Sequence, residues 1–126
     1  MSLSKKEIKA KLMQPVNKKV AFNYPGNKGN KRGFLKDRVI VWSGHSSSGA
    51  DYWDVVDLIK FQNVKEGLRI RIGYYRQVGN QLRWASQTTI TEPVKTMKRL
   101  LAQAAKEKEW FRRALVPAAR YALRKY

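Results

Sequence analysis

The sequence predicts an α+β domain: an antiparallel sheet of about four strands, arranged as a meander and packed on one long C-terminal amphipathic helix, with a short N-terminal helix. Three observations support this prediction. Between residues 18 and 90, runs of alternating apolar and polar residues are separated by turn-rich segments, and strands have this period of two. Residues 94–115 carry an apolar stripe at helical spacing. A capping-box pattern opens the chain.

The N-terminal helix should begin after Ser4, because Ser4 and Glu7 have the spacing of a capping box. Ile8 and Leu12 lie four residues apart, on one side of the helix. Pro15 should end it, because the residue before a proline avoids the helical conformation. A helix this short is not stable alone, so it either docks on the body of the protein or frays.

The first half of the sheet follows from local composition. Residues 18–24 alternate as a strand, residues 25–33 are loop-like, and residues 38–43 are rich in β-formers. Residues 44–50 form a glycine- and serine-rich loop. Residues 51–62 fit either a strand or a helix, and their β-branched and aromatic content favours the strand.

A β-hairpin is predicted over residues 68–90, with its turn at residues 78–80. Side chains of a strand alternate between its two faces, so each face can be read from the sequence. The face predicted to be buried carries Leu68, Ile70, Ile72, Tyr74, Leu82, Trp84 and Ile90. The face predicted to be open carries Arg69, Arg71, Tyr75, Arg83 and Gln87.

The C-terminal helix should start near Val94, with its apolar stripe packed on the sheet. Pro117 is expected to break it, since proline removes a helical hydrogen bond, and residues 118–124 then form a short tail helix. The wide stripe could also serve a homodimer. The predicted organisation is a basic N-terminal arm with the short helix at 1–18, one domain at 19–116 and a basic tail at 117–126.

Composition excludes several classes of site. The chain has no cysteine and one histidine, which excludes disulfides and the usual zinc sites. No apolar run reaches transmembrane length and no signal peptide is visible. We therefore expect a cytoplasmic protein with no membrane partner and no cofactor.

Charge indicates the kind of partner. The chain carries 27 basic and 9 acidic residues, a net charge of +18, far above what solubility needs. Eleven of the basic residues lie in residues 1–38 and ten in residues 92–126. Such an excess favours binding to a polyanion, because lysine and arginine release counterions from a phosphate backbone.

The leading hypothesis is a non-enzymatic protein that binds single-stranded DNA or RNA with low sequence specificity on a basic, aromatic sheet face. The plain alternative is an ordinary solvated sheet face. The candidate binding residues are Arg69, Arg71, Tyr75, Arg83, Gln87 and Trp42 on strands, with Lys28, Lys31 and Arg32 in the basic loop.

Two other functions compete. An RNA-binding component of a ribonucleoprotein assembly would have residues 1–38 disordered when isolated. A magnesium-dependent nuclease would use Asp51, Asp54, Asp57 and Lys60, but Asp54 and Asp57 point to opposite faces of a strand. His45 lies beside serines in a loop that cannot hold catalytic geometry, so no catalytic residue is assigned.

Over about residues 38–115, the order of four strands and a helix resembles the single-stranded-DNA-binding domain of transcriptional coactivators of the positive-cofactor-four type and their bacterial relatives. The resemblance rests on the order of elements and transfers no individual residue. It implies a curved antiparallel sheet that binds the strand and a C-terminal helix that builds a dimer.

Overall fold

A computed structural model describes residues 3–22, 31–47, 49–62, 67–85 and 90–125. Its elements, in chain order, are α1 (Lys5–Met13), β1 (Lys19–Phe22), β2 (Lys31–His45), β3 (Asp51–Phe61), β4 (Leu68–Val78), β5 (Gln81–Trp84), α2 (Val94–Glu107) and α3 (Glu109–Lys125). The predicted α+β class and antiparallel meander are confirmed. Within the described ranges the sheet has five strands rather than about four, and two helices replace the single C-terminal one.

The chain divides into two compact units, Met1–Thr91 and Glu92–Tyr126. The first holds α1 and the whole sheet, and the second holds α2 and α3. These bounds differ from the predicted division at residues 18 and 116. The packing of a C-terminal helix on the sheet stays a prediction.

Helix α1 has the capping box that its sequence predicted. The Ser4 hydroxyl accepts a hydrogen bond from the Glu7 backbone N–H, and the Glu7 carboxylate accepts one from the Ser4 N–H, both at 3.2 Å. Ile8 and Leu12 are buried with Trp53 of β3. The backbone N–H before the helix, at Leu3, donates to the Asn80 side-chain oxygen at 2.9 Å. Helix α1 therefore packs on the sheet, and of the two expectations for this helix, docking is confirmed rather than fraying.

The five strands lie side by side in chain order, each antiparallel to the next. Strand β2 is much longer than residues 38–43, because it already begins at Lys31 and includes the end of the predicted loop 25–33. Gly33 faces Phe61 across the β2–β3 pair, and a Cβ at Gly33 would lie 2.7 Å from the Lys60 carbonyl oxygen. Glycine at this position allows the two strands to approach. Residues 23–30 lie outside the described residues.

Strand β3 confirms the strand assignment for the ambiguous segment 51–62. It is the central strand, paired with β2 on one side and β4 on the other. Val55, Val56 and Ile59 are fully buried, which explains the β-branched composition of the segment.

The β4–β5 hairpin closes with a two-residue loop, Gly79-Asn80, since Val78 pairs with Gln81. Gly79 has a φ of 60°, as the first position of a type II′ turn requires. Strand β5 pairs only with residues 75–78 of β4 and ends at Trp84, well before Ile90. Residues 86–89 lie outside the described residues.

The helical segment of the C-terminal unit is interrupted at a position that the sequence did not predict. Lys108 is extended, with φ −127° and ψ 122°, and separates α2 from α3. Arg112 stabilises this break, because its Nη1 donates to the carbonyl oxygens of Ala105 and Lys106 at 2.7 and 3.1 Å, which are orphan acceptors at the end of α2. The prediction that Pro117 ends the helix is wrong, since α3 continues through it. None of the described helices is long and apolar enough to span a lipid bilayer.

Candidate nucleic-acid interface

The hairpin register decides which side chains share a face. Tyr75 lies directly opposite Trp84, and Arg76 lies directly opposite Arg83. Arg69, Arg71 and Tyr75 therefore share a face with Trp84, whereas Arg83 lies on the other face. The prediction that Arg83 joins them on one open face is wrong. The turn is one residue shorter than expected, and this shift in register moves every side chain of the second strand to the opposite face of the sheet.

The face that carries Arg71 and Tyr75 is the face on which α1 packs. Tyr75 belongs to the apolar cluster around Ile8, Leu12 and Trp53. The Tyr75 and Trp84 rings meet edge to face, with centroids 5.0 Å apart. We call this side of the sheet the α1 face. The expectation of an open face at Arg71 and Tyr75 is wrong, because α1 covers much of it.

A charged row crosses the three central strands on the α1 face. Arg38 pairs with Asp57, and Asp57 pairs with Arg71 on the next strand. The Asp57 carboxylate is fully buried and accepts from Arg38 Nε at 2.7 Å, from Arg38 Nη2 at 3.0 Å and from Arg71 Nη2 at 2.8 Å. Arg71 also lies 4.2 Å from the centre of the Trp84 ring, with 21% of its side chain exposed. Arg71 is therefore mainly a structural residue.

Burial by itself lowers the pKa of Arg38, but the hydrogen bond and charge of Asp57, with a smaller contribution from Tyr75, outweigh it, so the net pKa is raised. Arg38 also donates from Nη1 to the Leu12 carbonyl oxygen at 2.7 Å and from Nη2 to the Tyr75 hydroxyl at 3.2 Å. It thus joins α1 to the sheet. The sequence analysis missed Arg38 because its partners come from three distant segments.

Trp42 also lies in the α1-face cluster and is half-buried. The Lys5 ammonium of α1 lies 3.4 Å from the centre of its ring, and its Nε1 donates to Asp51 at 3.4 Å. The structure places Trp42 beneath α1, so one face of its ring is occupied by a cation.

The remaining predicted binding residues are spread over the chain. Arg69 is exposed near the start of β4, and Arg32 is exposed near the start of β2. Lys31 is the first residue of β2. Lys28 and Gln87 lie outside the described residues.

The other face of the sheet brings together a group that the sequence analysis did not assemble. Tyr52, Arg76 and Arg83 lie in one row across β3, β4 and β5. Tyr74 lies on the same face, and its ring meets the Tyr52 ring edge to face with centroids 5.7 Å apart. We call Tyr52, Tyr74, Arg76 and Arg83 the tyrosine–arginine patch.

The patch is accessible and its cations are available. Arg76 and Arg83 are exposed, and Tyr52 and Tyr74 are half-buried. Within the described residues, neither guanidinium has a hydrogen bond or ion pair with another group. A groove of about 250 Å³ lies beside them. The patch therefore combines two aromatic rings with two unneutralised charges.

Apolar side chains of β4 continue the patch face away from the hairpin turn. Leu68, Ile70 and Ile72 are 61%, 41% and 38% exposed, although the alternating pattern predicted them to be buried. The prediction that these three side chains are buried is therefore wrong. The apolar packing of this hairpin lies instead on the face that carries Trp84.

The carboxylates proposed for a nuclease are placed apart. Asp57 is bound by two arginines, and Asp51 accepts from Trp42 and lies 2.9 Å from His45 Nδ1. Asp54 is buried on the opposite face of β3. Among the residues described, no three acidic or histidine side chains are grouped so that they could hold a metal ion.

Comparison with known proteins gives no family for the chain: no protein-family model, no curated protein and no solved structure matches it. The resemblance to positive-cofactor-four-type domains therefore stays a prediction. Function has to be argued from the residues themselves.

Proposed function

We propose that this protein is a non-enzymatic nucleic-acid-binding protein that prefers single-stranded DNA or RNA and has low sequence specificity. The observation that carries the proposal is the tyrosine–arginine patch, an accessible group of two aromatic rings and two guanidinium groups without a partner among the described residues, in a chain of net charge +18. Single-strand binders combine these two components.

Each component of the patch has a role in this proposal. Tyr52 and Tyr74 stack on bases, which contributes about 1–3 kcal/mol per base whatever the sequence. Arg76 and Arg83 face each other across two strands, and like charges in that position repel. A phosphate held between the two guanidinium groups removes this repulsion, so the free protein gains from binding a polyanion.

A single strand suits the patch better than a duplex. The bases of a duplex are stacked on one another, and its readers usually insert a helix or a two-stranded ribbon into the major groove. The patch lies on the face of a sheet, where unstacked bases can reach the tyrosine rings. Arg32 and Arg69 are exposed outside the patch, Arg69 on the α1 face, and add to the positive charge that attracts a polyanion to the protein.

One observation favours a second candidate, an RNA-binding component of a ribonucleoprotein assembly. Residues 116–125 of α3 are exposed and include Arg120, Arg124 and Lys125, as a basic helical extension bound along structured RNA would be. This candidate predicts that residues 1–38 are disordered in the isolated protein. Helix α1 does not fit that prediction, because it is capped and its apolar side chains are buried.

The C-terminal unit has a separate part in the proposal. We expect the apolar stripe of α2, with Leu100 and Ala104 buried, to pack on the sheet. Tyr121 and Leu123 of α3 are 64% and 75% exposed, which is consistent with a homodimer built through the C-terminal helices. Light scattering on the purified chain tests the dimer directly.

The test of function is a fluorescence-anisotropy titration of labelled single-stranded DNA, single-stranded RNA, duplex DNA and an RNA hairpin at several salt concentrations. We expect the single strands to bind most tightly. Arg76→Gln with Arg83→Gln should weaken single-strand binding by about tenfold and lower the salt slope by about 0.7, the value for one neutralised phosphate on a single strand.

The matched control is Lys6→Gln with Lys9→Gln, which removes the same charge from exposed positions of α1. It should change binding much less than the arginine pair does. Equal losses in the two double variants would show that bulk charge alone binds the strand and that the patch has no special role. Tighter binding to the RNA hairpin than to any single strand would favour the second candidate.

A further inference from the structure

A second basic site lies on the α1 side of the protein, where it shares Arg83 with the patch but contains neither of the patch tyrosines. A groove of about 560 Å³ lies between the C-terminal end of α1 and the β4–β5 hairpin. Its polar lining includes Lys11, Arg38, Arg83, Tyr75, Gln14 and Gln81. Among the described residues that line it, none is an aspartate or glutamate, so the charged side chains of this lining are all positive.

Tyr75 supplies a hydrogen-bond donor to the groove. Its hydroxyl oxygen accepts from Arg38 Nη2 at 3.2 Å, and no acceptor among the described residues takes the hydroxyl hydrogen. A hydroxyl that accepts from a cation is also polarised as a donor. Because Tyr75 lines the groove, its free O–H favours an acceptor bound there.

The C-terminal end of α1 lies beside the groove, and three of its carbonyl groups are already hydrogen-bonded. The C-terminal end of a helix carries a partial negative charge on its free carbonyl groups. Here the Lys11 carbonyl accepts from the Gln14 N–H, the Leu12 carbonyl accepts from Arg38 Nη1 and the Met13 carbonyl accepts from the Val16 N–H. The end of α1 therefore opposes an anion only weakly.

Charged side chains lie both beneath the groove and at its rim. Beneath it, Arg38 and Arg71 both bind the Asp57 carboxylate. Lys11 and Arg83 are exposed at the rim and supply two positive charges there. Arg38 is fixed in place, because its guanidinium is held by Asp57, Leu12 and Tyr75.

We propose that this groove binds a phosphoryl group, with the Tyr75 hydroxyl donating to a phosphate oxygen and with Lys11 and Arg83 supplying charge from the rim. A phosphate monoester carries close to two negative charges and three acceptor oxygens, which matches a lining of several donors without a carboxylate. The phosphoryl group comes either from free phosphate or from the terminal phosphate of an oligonucleotide. The site goes beyond the proposed function and stands without it, because inorganic phosphate alone tests it.

The experiment is a titration of the full chain with inorganic phosphate, followed by NMR chemical shifts at constant ionic strength. Tyr75→Phe keeps the ring and the net charge but removes the hydroxyl, which is both the proposed donor to phosphate and an acceptor from Arg38 Nη2. We expect this variant to raise the Kd for phosphate by about tenfold, which corresponds to about 1.4 kcal/mol. Lys11→Gln should raise it roughly threefold, whereas the control Lys9→Gln, on the exposed side of the same helix, should leave it unchanged.

Two further arms identify the source of the phosphate. The same variants are titrated with an oligonucleotide carrying a 5′-phosphate and with the same oligonucleotide lacking it. Dependence on Tyr75 for both inorganic phosphate and the phosphorylated strand supports a terminal phosphate, and dependence for inorganic phosphate alone supports a free anion. Urea unfolding of each variant shows that the fold is kept.

The proposal is overturned if Tyr75→Phe binds inorganic phosphate as tightly as the parent, or if Lys9→Gln weakens binding as much as Lys11→Gln. Arg76→Gln separates this site from the patch, because Arg76 does not line the groove. That variant should weaken oligonucleotide binding and leave phosphate binding unchanged. If all oligonucleotides fail to bind while phosphate binding depends on Tyr75, the proposed function fails and the phosphate site stands.

Discussion

Replacement of Asp57 by alanine should destabilise the sheet unit more than any other single change to its charged residues. The carboxylate is 0% exposed and accepts three hydrogen bonds, two from Arg38 and one from Arg71. Asp57→Ala leaves the Arg38 guanidinium buried with only the Leu12 carbonyl and the Tyr75 hydroxyl as partners. A buried cation without its counter-charge carries a large desolvation cost.

The size of the effect follows from this geometry. Removal of one partner from a buried ion pair typically costs about 3–5 kcal/mol. Asp57 serves two arginines, one of them almost fully buried and one partly exposed, so we expect a loss of about 4 kcal/mol in the free energy of unfolding. That loss is a large fraction of the stability of a small domain, which is about 5–15 kcal/mol.

The assay is equilibrium urea unfolding followed by circular dichroism. Asp51→Ala is the matched control, because Asp51 lies on the same strand but its pair with His45 is partly exposed, with 60% of the His45 side chain and 31% of the Asp51 side chain accessible. Solvent-exposed pairs contribute little. A loss below about 1 kcal/mol for Asp57→Ala, or one equal to the loss for Asp51→Ala, would refute the reasoning. Replacing Arg38, Asp57 and Arg71 together by apolar residues of similar size should recover most of the stability, because no buried charge is then left alone.

Three further changes test the local structure, each by the same urea assay. Ser4→Ala should cost about 1 kcal/mol, because the N-cap hydrogen bond to Glu7 is lost; no change would show that α1 does not depend on its cap. Gly73→Ala should cost about 1–3 kcal/mol and alter the aromatic circular dichroism, since the new Cβ would lie 2.2 Å from Trp84 Cη2; an unchanged aromatic spectrum would contradict this packing. Gly79→Ala should cost about 1–2 kcal/mol because φ is 60° in the turn, and a neutral result would contradict the type II′ geometry.

The sequence predicted an element correctly where the residues that determine it are close together in the chain. The Ser4–Glu7 capping box predicted the start of α1, because both partners lie within one turn of helix. The β-branched and aromatic residues of segment 51–61 predicted a strand, and β3 is the central strand. Neither feature needs information from another part of the chain.

The faces of the hairpin could not be predicted, because they depend on one residue of register and on a partner outside the hairpin. A loop of three residues would have put Arg83 beside Tyr75, but Val78 pairs with Gln81 and the loop has two residues. Arg71 then faces the covered side, where Asp57 neutralises it. Alternation within the hairpin carries no information about that carboxylate.

The helical break was missed for a related reason. Proline is the strongest local signal for a break, yet α3 continues through Pro117. The break lies at Lys108, where Arg112 reaches back to the carbonyl groups that end α2. Arg112 belongs to α3 but caps the C-terminal end of α2. Such a contact between two helices cannot be read from the spacing of apolar residues.

The short β5 strand has a consequence for the self-association of this protein. β5 pairs with residues 75–78 of β4. Among the described residues, no strand pairs with the same side of β4 from residue 68 to residue 73, where Leu68, Ile70 and Ile72 are exposed. Edges of this kind recruit strands from other molecules, and here the high positive charge keeps such molecules apart. Concentrated salt would therefore act twice, since it would release a bound polyanion and also screen the repulsion that protects the protein from edge-to-edge aggregation.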